Sequence, residues 1–338
     1  MKRKKIICFV LTLFLSFAAT TIKTERSAVA YVPVSAGGKT VGIKLYLDGL
    51  LCVGTSEISG ACPARRCGIK RGDRITHING ALIEDAEVFS ELIQQNGENE
   101  VVLTVISGNE TAEKRLKPVY YADAGEYKTG MWVRDSIAGI GTVTFMLEDG
   151  SFAALGHGIS DADAGEIVRM KSGDITGSEI ESVVRGEAGA PGELRGSFTD
   201  SCSGEVFANE PSGIYGRLQK SNLGFETAEI ADEGEVHTGE AYILANIDGT
   251  KTEKFSVEIS RILRFGNSDG KCMVIRVTDE NLINRTGGIV QGTSGSPIFQ
   301  DGKLVGAVTH VFLDNPREGY GIFASRMMDT LQSLINCE

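Results

Sequence analysis

The 338-residue sequence is poor in aromatic residues, with 14 Phe, 8 Tyr and 1 Trp, and it has no surplus of positive charge. Because 34 basic residues stand against 45 acidic ones, the net charge of -11 makes most of the folded surface repel nucleic acid and anionic lipid. We therefore expect no nucleic-acid partner. The 42 glycines favour tight turns between short strands, which indicates a mainly β or α+β protein rather than a helical bundle.

Metal-binding patterns are also missing. The seven cysteines include no Cys-x-x-Cys pair and have no histidine at zinc spacing, so we expect neither a metal nor another cofactor. Cys62 and Cys67 are close enough in sequence to be candidates for a disulfide. Cys52 and Cys272 lie in strand-like runs, where a cysteine is usually a small buried apolar side chain.

The apolar run at the amino terminus is short. Four basic residues, 2–5, precede fourteen mostly apolar residues from Ile6 to Ala19, a length typical of a signal peptide rather than of a spanning helix. Ala28-Val29-Ala30 offers a cleavage site, while the charged residues between Ala19 and Ala30 favour retention as a short membrane anchor. The sequence thus predicts an exported protein whose residues 1–30 form a signal peptide or an anchor.

The chain is long enough for two domains, and the first half carries one specific pattern. Residues 68–80, Gly-Ile-Lys-Arg-Gly-Asp-Arg-Ile-Thr-His-Ile-Asn-Gly, predict a turn, a strand with Ile75 and Ile78 inward, and an Asn-Gly turn. Apolar residues at helical spacing then predict a helix from Asp85 to Gln95. The pattern resembles the PDZ signature and implies a PDZ-like peptide-binding domain over residues 31–120.

PDZ domains bind an extended peptide as an added strand at a sheet edge. The resemblance implies a groove between a strand at Gly42 to Leu47 and the helix Asp85–Gln95. Gly42 and Ile43 would form the loop that receives the carboxylate of the peptide, and Val88 would line the groove from the helix. The alternatives are that the glycines only turn the chain and that Val88 faces the core.

The second half, residues 121–338, has repeated strand, turn, strand units with Asp-Gly turns at 149–150, 248–249 and 269–270. Regularly spaced short strands indicate a β-barrel. Only the end of the chain, Ser325 to Ile335, has the apolar spacing of a helix.

A serine on a glycine-flanked turn is the main candidate for chemistry. In Gly292-Thr293-Ser294-Gly295-Ser296-Pro297, flexible glycines allow the amides of Gly292 and Ser294 to bind the oxyanion formed when Ser294 attacks a carbonyl. The stretch resembles the active-site turn of chymotrypsin-like serine peptidases. The alternative is a solvent-exposed serine in a glycine-rich hairpin.

A serine nucleophile needs a base, and the sequence has only four histidines. His157 follows a predicted strand between two glycines and precedes the serine, so it ranks first. His310, one hairpin after the serine, ranks second. His77, in the PDZ-like part, and His237, among glutamates, are expected at the surface.

The residues leave the carboxylate open among Asp161, Asp163, Asp200 and Asp279. The stretches 156–161, 277–279 and 286–298 resemble the SpoIVB family of sporulation serine peptidases, and with the preceding PDZ pattern this likeness covers nearly the whole exported chain. It implies a triad of His157 as base, Asp279 as orienting carboxylate and Ser294 as nucleophile. Asp279 stands only fifteen residues before Ser294, whereas chymotrypsin-like chains usually place this aspartate much further upstream.

The resemblance also implies a biological role. SpoIVB-like peptidases are exported into the space between forespore and mother-cell membranes, cleave themselves near the amino terminus, and cleave a membrane-bound regulator of an intramembrane protease. That cleavage leads to activation of sigma-K. The rival predictions are a non-catalytic PDZ-containing binding protein and an HtrA-like quality-control protease, although the latter usually has its PDZ domains after the catalytic domain.

Overall fold

The computed structural model describes residues 33–160, 167–221, 226–263 and 271–336. Strands dominate these ranges, which confirms the mainly β prediction. The predicted signal or anchor segment, residues 1–30, lies outside the described residues. Within the described ranges, no helix has the length and apolar character needed to cross a bilayer.

The described elements follow one another in this order: β1 (Val34–Thr55), α1 (Pro63–Arg66), β2 (Arg74–Ile78), β3 (Ala81–Leu82), α2 (Ala86–Asn96), β4 (Val101–Ser107), β5 (Glu110–Leu116), β6 (Val119–Tyr121), β7 (Glu126–Lys128), β8 (Met131–Met146), β9 (Ser151–Ala154), β10 (Met170–Val184), β11 (Glu193–Glu210), β12 (Gly213–Ser221), β13 (Glu226–Ala228), β14 (Gly239–Asp248), β15 (Lys251–Ile262), β16 (Met273–Val277), α3 (Glu280–Thr286), β17 (Pro297–Gln300), β18 (Lys303–Phe312), β19 (Asn315–Phe323) and α4 (Ala324–Ile335).

Six strands close a first barrel in the order β1, β8, β9, β12, β11, β10, and β10 pairs back onto β1. Alternating apolar residues of these strands fill its interior, because successive side chains of a strand point to opposite faces. Val41, Ile43, Leu45, Val143 and Phe152 are at most 2% exposed there. The first barrel therefore depends on a strand that begins at Val34, before the PDZ-like part.

The PDZ-like part is inserted between β1 and β8. The first half of β1 pairs within the barrel, whereas Leu50 and Leu51 near its end pair with Ile75 and Arg74 of β2. The predicted PDZ-like range of 31–120 thus includes a barrel strand. Sequence alternation alone is the same in both settings, which is why the pattern did not separate them.

Helix α2 matches the predicted helix. The Asp85 carboxylate accepts a hydrogen bond from the amide of Val88 at 2.8 Å and caps the first turn, while Gly97 ends the helix at a positive φ of 61°. Phe89 and Ile93 pack into the core of the PDZ-like part. Nearby, Cys62 and Cys67, the candidates for a disulfide, are free thiols.

A second closed barrel has the strand order β14, β15, β16, β19, β18, β17. Helix α3 connects β16 with the segment that leads to Ser294, and α4 follows β19. The predicted terminal helix is confirmed by α4, which buries Met327, Met328 and Leu331.

Candidate active site

Two glycines with positive φ angles shape the turn around Ser294. Gly292 has a φ of 96° and Gly295 has a φ of 95°. A Cβ atom at Gly295 would lie 2.0 Å from the carbonyl oxygen of Thr142, so only glycine fits against this strand of the first barrel. The sequence motif is thus explained by a close approach of backbone to backbone.

The carbonyl groups of this turn are held by β8. Thr142 Oγ1 donates to the Gly292 oxygen at 2.8 Å, and the Thr142 amide donates to the Ser294 oxygen at 3.0 Å. Thr144 Oγ1 donates to the Gly295 oxygen at 2.8 Å. Because the carbonyls are tied back in this way, their peptide planes are fixed, and the turn cannot flip without breaking buried hydrogen bonds.

The amides predicted as the oxyanion hole remain available. Neither the Gly292 nor the Ser294 N–H donates to any group in the described part of the chain. The carbonyl of Gln291, just before them, accepts a hydrogen bond at 2.9 Å from the amide of Leu194, the second residue of β11. Two free donors on a fixed turn are what an oxyanion requires. Thr142 and Thr144 were missed from sequence because they precede the serine by about 150 residues.

His157 lies just beyond β9, where the backbone makes a sharp turn. Leu155 and Gly156 have φ angles of 65° and 69°, an unfavourable conformation for leucine. The imidazole Nδ1 lies 2.9 Å from the Gly158 carbonyl oxygen. A carbonyl only accepts, so Nδ1 carries the proton in this contact and Nε2 of the neutral ring keeps its lone pair. That tautomer is the one a general base needs.

His157 and Ser294 line one cavity of about 540 Å³, bordered by strands of both barrels. Apart from the two histidines His157 and His310, its described lining is uncharged and mostly apolar. The Ser294 hydroxyl donates to the carbonyl of Thr309 at 2.7 Å. Attack therefore requires the hydroxyl to release the Thr309 carbonyl and donate to His157 instead, in line with the looser hydrogen bonds of unliganded active sites.

His310, the second-ranked base, is beside the first. Its ring centroid lies 4.4 Å from that of His157, with the planes tilted by 34°, and it lines the same cavity. The other two histidines are elsewhere. His77 Nδ1 contacts Thr76 Oγ1 on β2, and His237 Nε2 lies 2.8 Å from an Asp301 carboxylate oxygen at the surface.

Asp279, the carboxylate implied by the resemblance, is the N-cap of α3. Its oxygens accept hydrogen bonds from the amides of Ser256, Asn281 and Leu282 at 3.0–3.2 Å. It is absent from the described lining of the cavity and is not hydrogen-bonded to His157. The role of Asp279 as orienting residue stays a prediction.

The other candidate carboxylates do not replace Asp279 in the described structure. Asp161 and Asp163 lie outside the described residues. Asp200 is exposed on β11 and is likewise absent from the described cavity lining.

The predicted peptide-binding strand is corrected by the structure. Gly42 pairs with Thr176 on one side and with Ile140 on the other, and Ile43 pairs with Ile175 and Gly139. Both residues are interior to the first barrel, so they offer no free edge beside α2. Val88 is half-buried on α2.

We expect Thr142→Val to slow peptide cleavage. Valine keeps the shape of the side chain but leaves the Gly292 carbonyl without its donor, which should lower kcat/KM about tenfold through a less ordered oxyanion hole. The free energy of unfolding should fall by about 1 kcal/mol. Thr142→Ser, which retains the hydroxyl, is the matched control. Equal kcat/KM values for the valine and serine variants would show that the hydrogen bond from Thr142 to the Gly292 carbonyl does not contribute to catalysis.

The acid limb of the pH profile should lie below the ordinary histidine range. Burial lowers the pKa of His157 from its ordinary value of 6.5, and the hydrogen bond to the Gly158 carbonyl opposes this only in part. A lowered pKa keeps the base neutral to lower pH, so at pH 6.5 more than half of the maximal kcat/KM should remain. A pH series with a peptide substrate measures this, and a limb centred above 6.5 would contradict it.

Comparison with known families adds to this geometry. The model of the SpoIVB peptidase S55 family matches residues 125–328, and that of the PDZ domain matches residues 56–107. No curated protein matches the chain.

Solved structures give partial matches. The PDZ domain of an SdrC-like protein from Listeria monocytogenes is 20% identical, with 26% of this chain and 90% of that chain covered and a TM-score of 0.23. The HtrA-type protease AlgW with a decapeptide is 12% identical, with coverage of 89% and 66% and a TM-score of 0.39. A serine endoprotease from Yersinia pestis is 14% identical, with coverage of 58% of each chain and a TM-score of 0.35.

Proposed function

The chain belongs to the SpoIVB peptidase S55 family and is a serine endopeptidase, and on that premise we propose a catalytic mechanism and a set of substrates. One observation carries the proposal. Ser294 lies on a turn with two unengaged amides, in the same cavity as His157, whose Nδ1 lies 2.9 Å from the Gly158 carbonyl oxygen. This set supplies a nucleophile, a base and an oxyanion site.

In the proposed mechanism Ser294 Oγ attacks the carbonyl carbon of the scissile bond and His157 Nε2 takes the hydroxyl proton. The amides of Gly292 and Ser294 bind the oxyanion. His157 then gives the proton to the leaving amine, which departs and leaves an acyl-enzyme. A water molecule, deprotonated by His157, attacks the ester and releases the second product. Asp279 is proposed, on the resemblance alone, to stabilise the imidazolium.

The proposed substrates are the chain itself, near its amino terminus, and a membrane-bound regulator of an intramembrane protease, in the sequence that activates sigma-K during sporulation. Family membership supports the sporulation role. The basic and apolar residues 2–19 support export, with the space between forespore and mother-cell membranes as the proposed location and residues 1–30 as signal or anchor.

A fluorophosphonate separates this proposal from a non-catalytic binding protein. Purified protein is treated with the reagent and digested, and the labelled peptide is mapped by mass spectrometry. We expect the label on Ser294. Absence of any label would favour the binding protein. An HtrA-like quality-control protease would also be labelled at Ser294, but it would digest unfolded proteins broadly instead of cutting itself and one membrane protein.

The PDZ-like part is proposed to capture the substrate before cleavage, and Val88→Glu tests this. Val88 is half-buried on α2 and is not part of the apolar core formed by Phe89 and Ile93, so a carboxylate there should disturb peptide binding along α2 more than the fold. We expect loss of self-cleavage and of regulator cleavage, with labelling of Ser294 unchanged. Loss of labelling as well would indicate misfolding, and retention of both activities would exclude capture through this helix.

A further inference from the structure

One edge of β8 is unpaired over much of its length. β1 pairs along the opposite edge from Met131 to Met146, and β9 takes the edge in question only from Val143 to Met146. Between residues 131 and 140 no described strand pairs with it. We call this stretch the open edge. Edge strands are usually blocked by a charge, a proline or a bulge, because unpaired N–H and C=O groups attract further strands.

The open edge ends at the nucleophile. The Thr142 amide donates to the Ser294 carbonyl, and the Thr142 carbonyl accepts from the Leu155 amide at 3.1 Å, so both polar groups of Thr142 point to this edge. Residues 137–140 line the cavity that holds Ser294. A strand added to the open edge would therefore be led directly to the attacking hydroxyl.

The other end of the open edge lies beside α2. The Ala86 amide, in the first turn of α2, donates to the Asp135 carboxylate on β8 at 3.1 Å. Met131 and Val133 pack against the core that contains Phe89 of the same helix. The open edge thus begins next to the helix of the PDZ-like part and ends at Ser294.

The open edge is exposed in the part nearest Ser294. Ala138 and Gly139 are exposed, and a Cβ atom at Gly139 would meet nothing within 4 Å. β1 and β8 stay in unbroken register from Ser136 to Val143, and backbone groups of a strand alternate in direction. The backbone N–H and C=O groups of Thr142 point towards the open edge. The same groups of every second residue before it, Ile140, Ala138 and Ser136, therefore point towards the open edge too.

We infer that one extended segment of the substrate pairs with the open edge along its whole length, from α2 to Ser294. Residues 131–140 span about 30 Å at roughly 3.4 Å per residue, which about nine substrate residues would cover. The substrate is therefore an unstructured segment of polypeptide rather than a folded surface, and an apolar side chain at the scissile bond suits the cavity. This inference rests on the proposed peptidase function and adds that capture and cleavage use the same stretch of chain.

The test removes one outward N–H. Ala138→Pro deletes a donor of the open edge without touching the ladder to β1, and Ala138→Ser, which keeps the N–H, is the matched control. The probe is a proteome-derived library of peptides of 20–30 residues, with cleavage followed by mass spectrometry. We expect Ala138→Pro to cut at least tenfold more slowly than Ala138→Ser when the cleavage rate of each variant is divided by its own rate of fluorophosphonate labelling. Ser136→Pro removes another outward N–H and should slow cleavage in the same way. This variant replaces Ala138→Pro in the experiment if Ala138→Pro does not fold.

Peptide length gives a second measure. Library peptides should be cut only where about eight or more residues lie on one side of the scissile bond. That side should be the same, amino-terminal or carboxyl-terminal, in every peptide that is cut. Equal cleavage by the proline and serine variants, efficient cleavage of six-residue peptides, or no cleavage of any library peptide by protein that labels normally would each overturn the inference. A protein that does not label at Ser294 would instead overturn the proposed function.

Discussion

Ser294→Ala should abolish cleavage, with a loss of turnover on the order of 10⁴ to 10⁶, because no other group in the turn can form the acyl-enzyme. The full chain, incubated and analysed by mass spectrometry, should remain intact at the site near its amino terminus where we propose that the unmodified protein cuts itself. The lost hydroxyl makes one hydrogen bond, to the Thr309 carbonyl, so the free energy of unfolding should change by about 1 kcal/mol or less.

Ser296→Ala is the matched control for this experiment. Ser296 lies two residues further along the same turn, is fully buried, and its hydroxyl has no hydrogen-bond partner among the described residues. Its removal should leave turnover and labelling near normal. Normal self-cleavage by purified Ser294→Ala protein would exclude Ser294 as the nucleophile. If Ser296→Ala were as inactive as Ser294→Ala, the loss of activity would come from a changed geometry of the turn rather than from the missing nucleophile.

Asp279→Asn should lower turnover by about 10⁴ if Asp279 orients His157 as predicted, since an amide cannot stabilise the imidazolium in the same way. The structure makes this substitution unusually informative. The asparagine oxygen can still accept from the amides of Asn281 and Leu282, so α3 should keep its N-cap. The asparagine NH2 group cannot accept from the Ser256 amide, so the free energy of unfolding should fall by about 1 kcal/mol through that one lost hydrogen bond. A steady-state rate with a cleavable peptide, together with a melting curve, measures both.

The control is Asp161→Asn, which should have little effect on turnover. If Asp279→Asn cuts at the normal rate, Asp279 is a helix cap alone, and the Gly158 carbonyl, 2.9 Å from Nδ1, is the group that fixes the tautomer of His157. If only Asp161→Asn is inactive, the base is oriented from the segment that follows His157.

Much of the proposed site could be predicted because its sequence signals are local. A glycine-flanked serine, a histidine between glycines and a capped helix with apolar spacing each occupy a few consecutive residues, and they predicted Ser294, His157 and α2 without knowledge of distant contacts. Residues 286–298 and the resemblance they carry predicted the peptidase family for the same reason. The export segment was read from charge and length alone and remains a prediction.

The hydrogen bonds that hold the turn were not predictable. Thr142 and Thr144 have no unusual neighbours in sequence, and they matter only because β8 of the first barrel packs against the nucleophile turn. The contact between the rings of His310 and His157 is of the same kind. Such contacts depend on which strands meet, which no short window of sequence encodes.

The sequence by itself determined the peptidase family and predicted the chemistry that we propose, a serine nucleophile, a histidine base and a glycine turn for the oxyanion, because each requires particular residue types at short spacing. Tertiary structure alone decided that β1 belongs to the first barrel, that Asp279 caps α3, and that the open edge of β8 leads from α2 to Ser294. The physical reason is that strand pairing joins residues far apart in the chain through backbone groups, which are the same for almost every residue type.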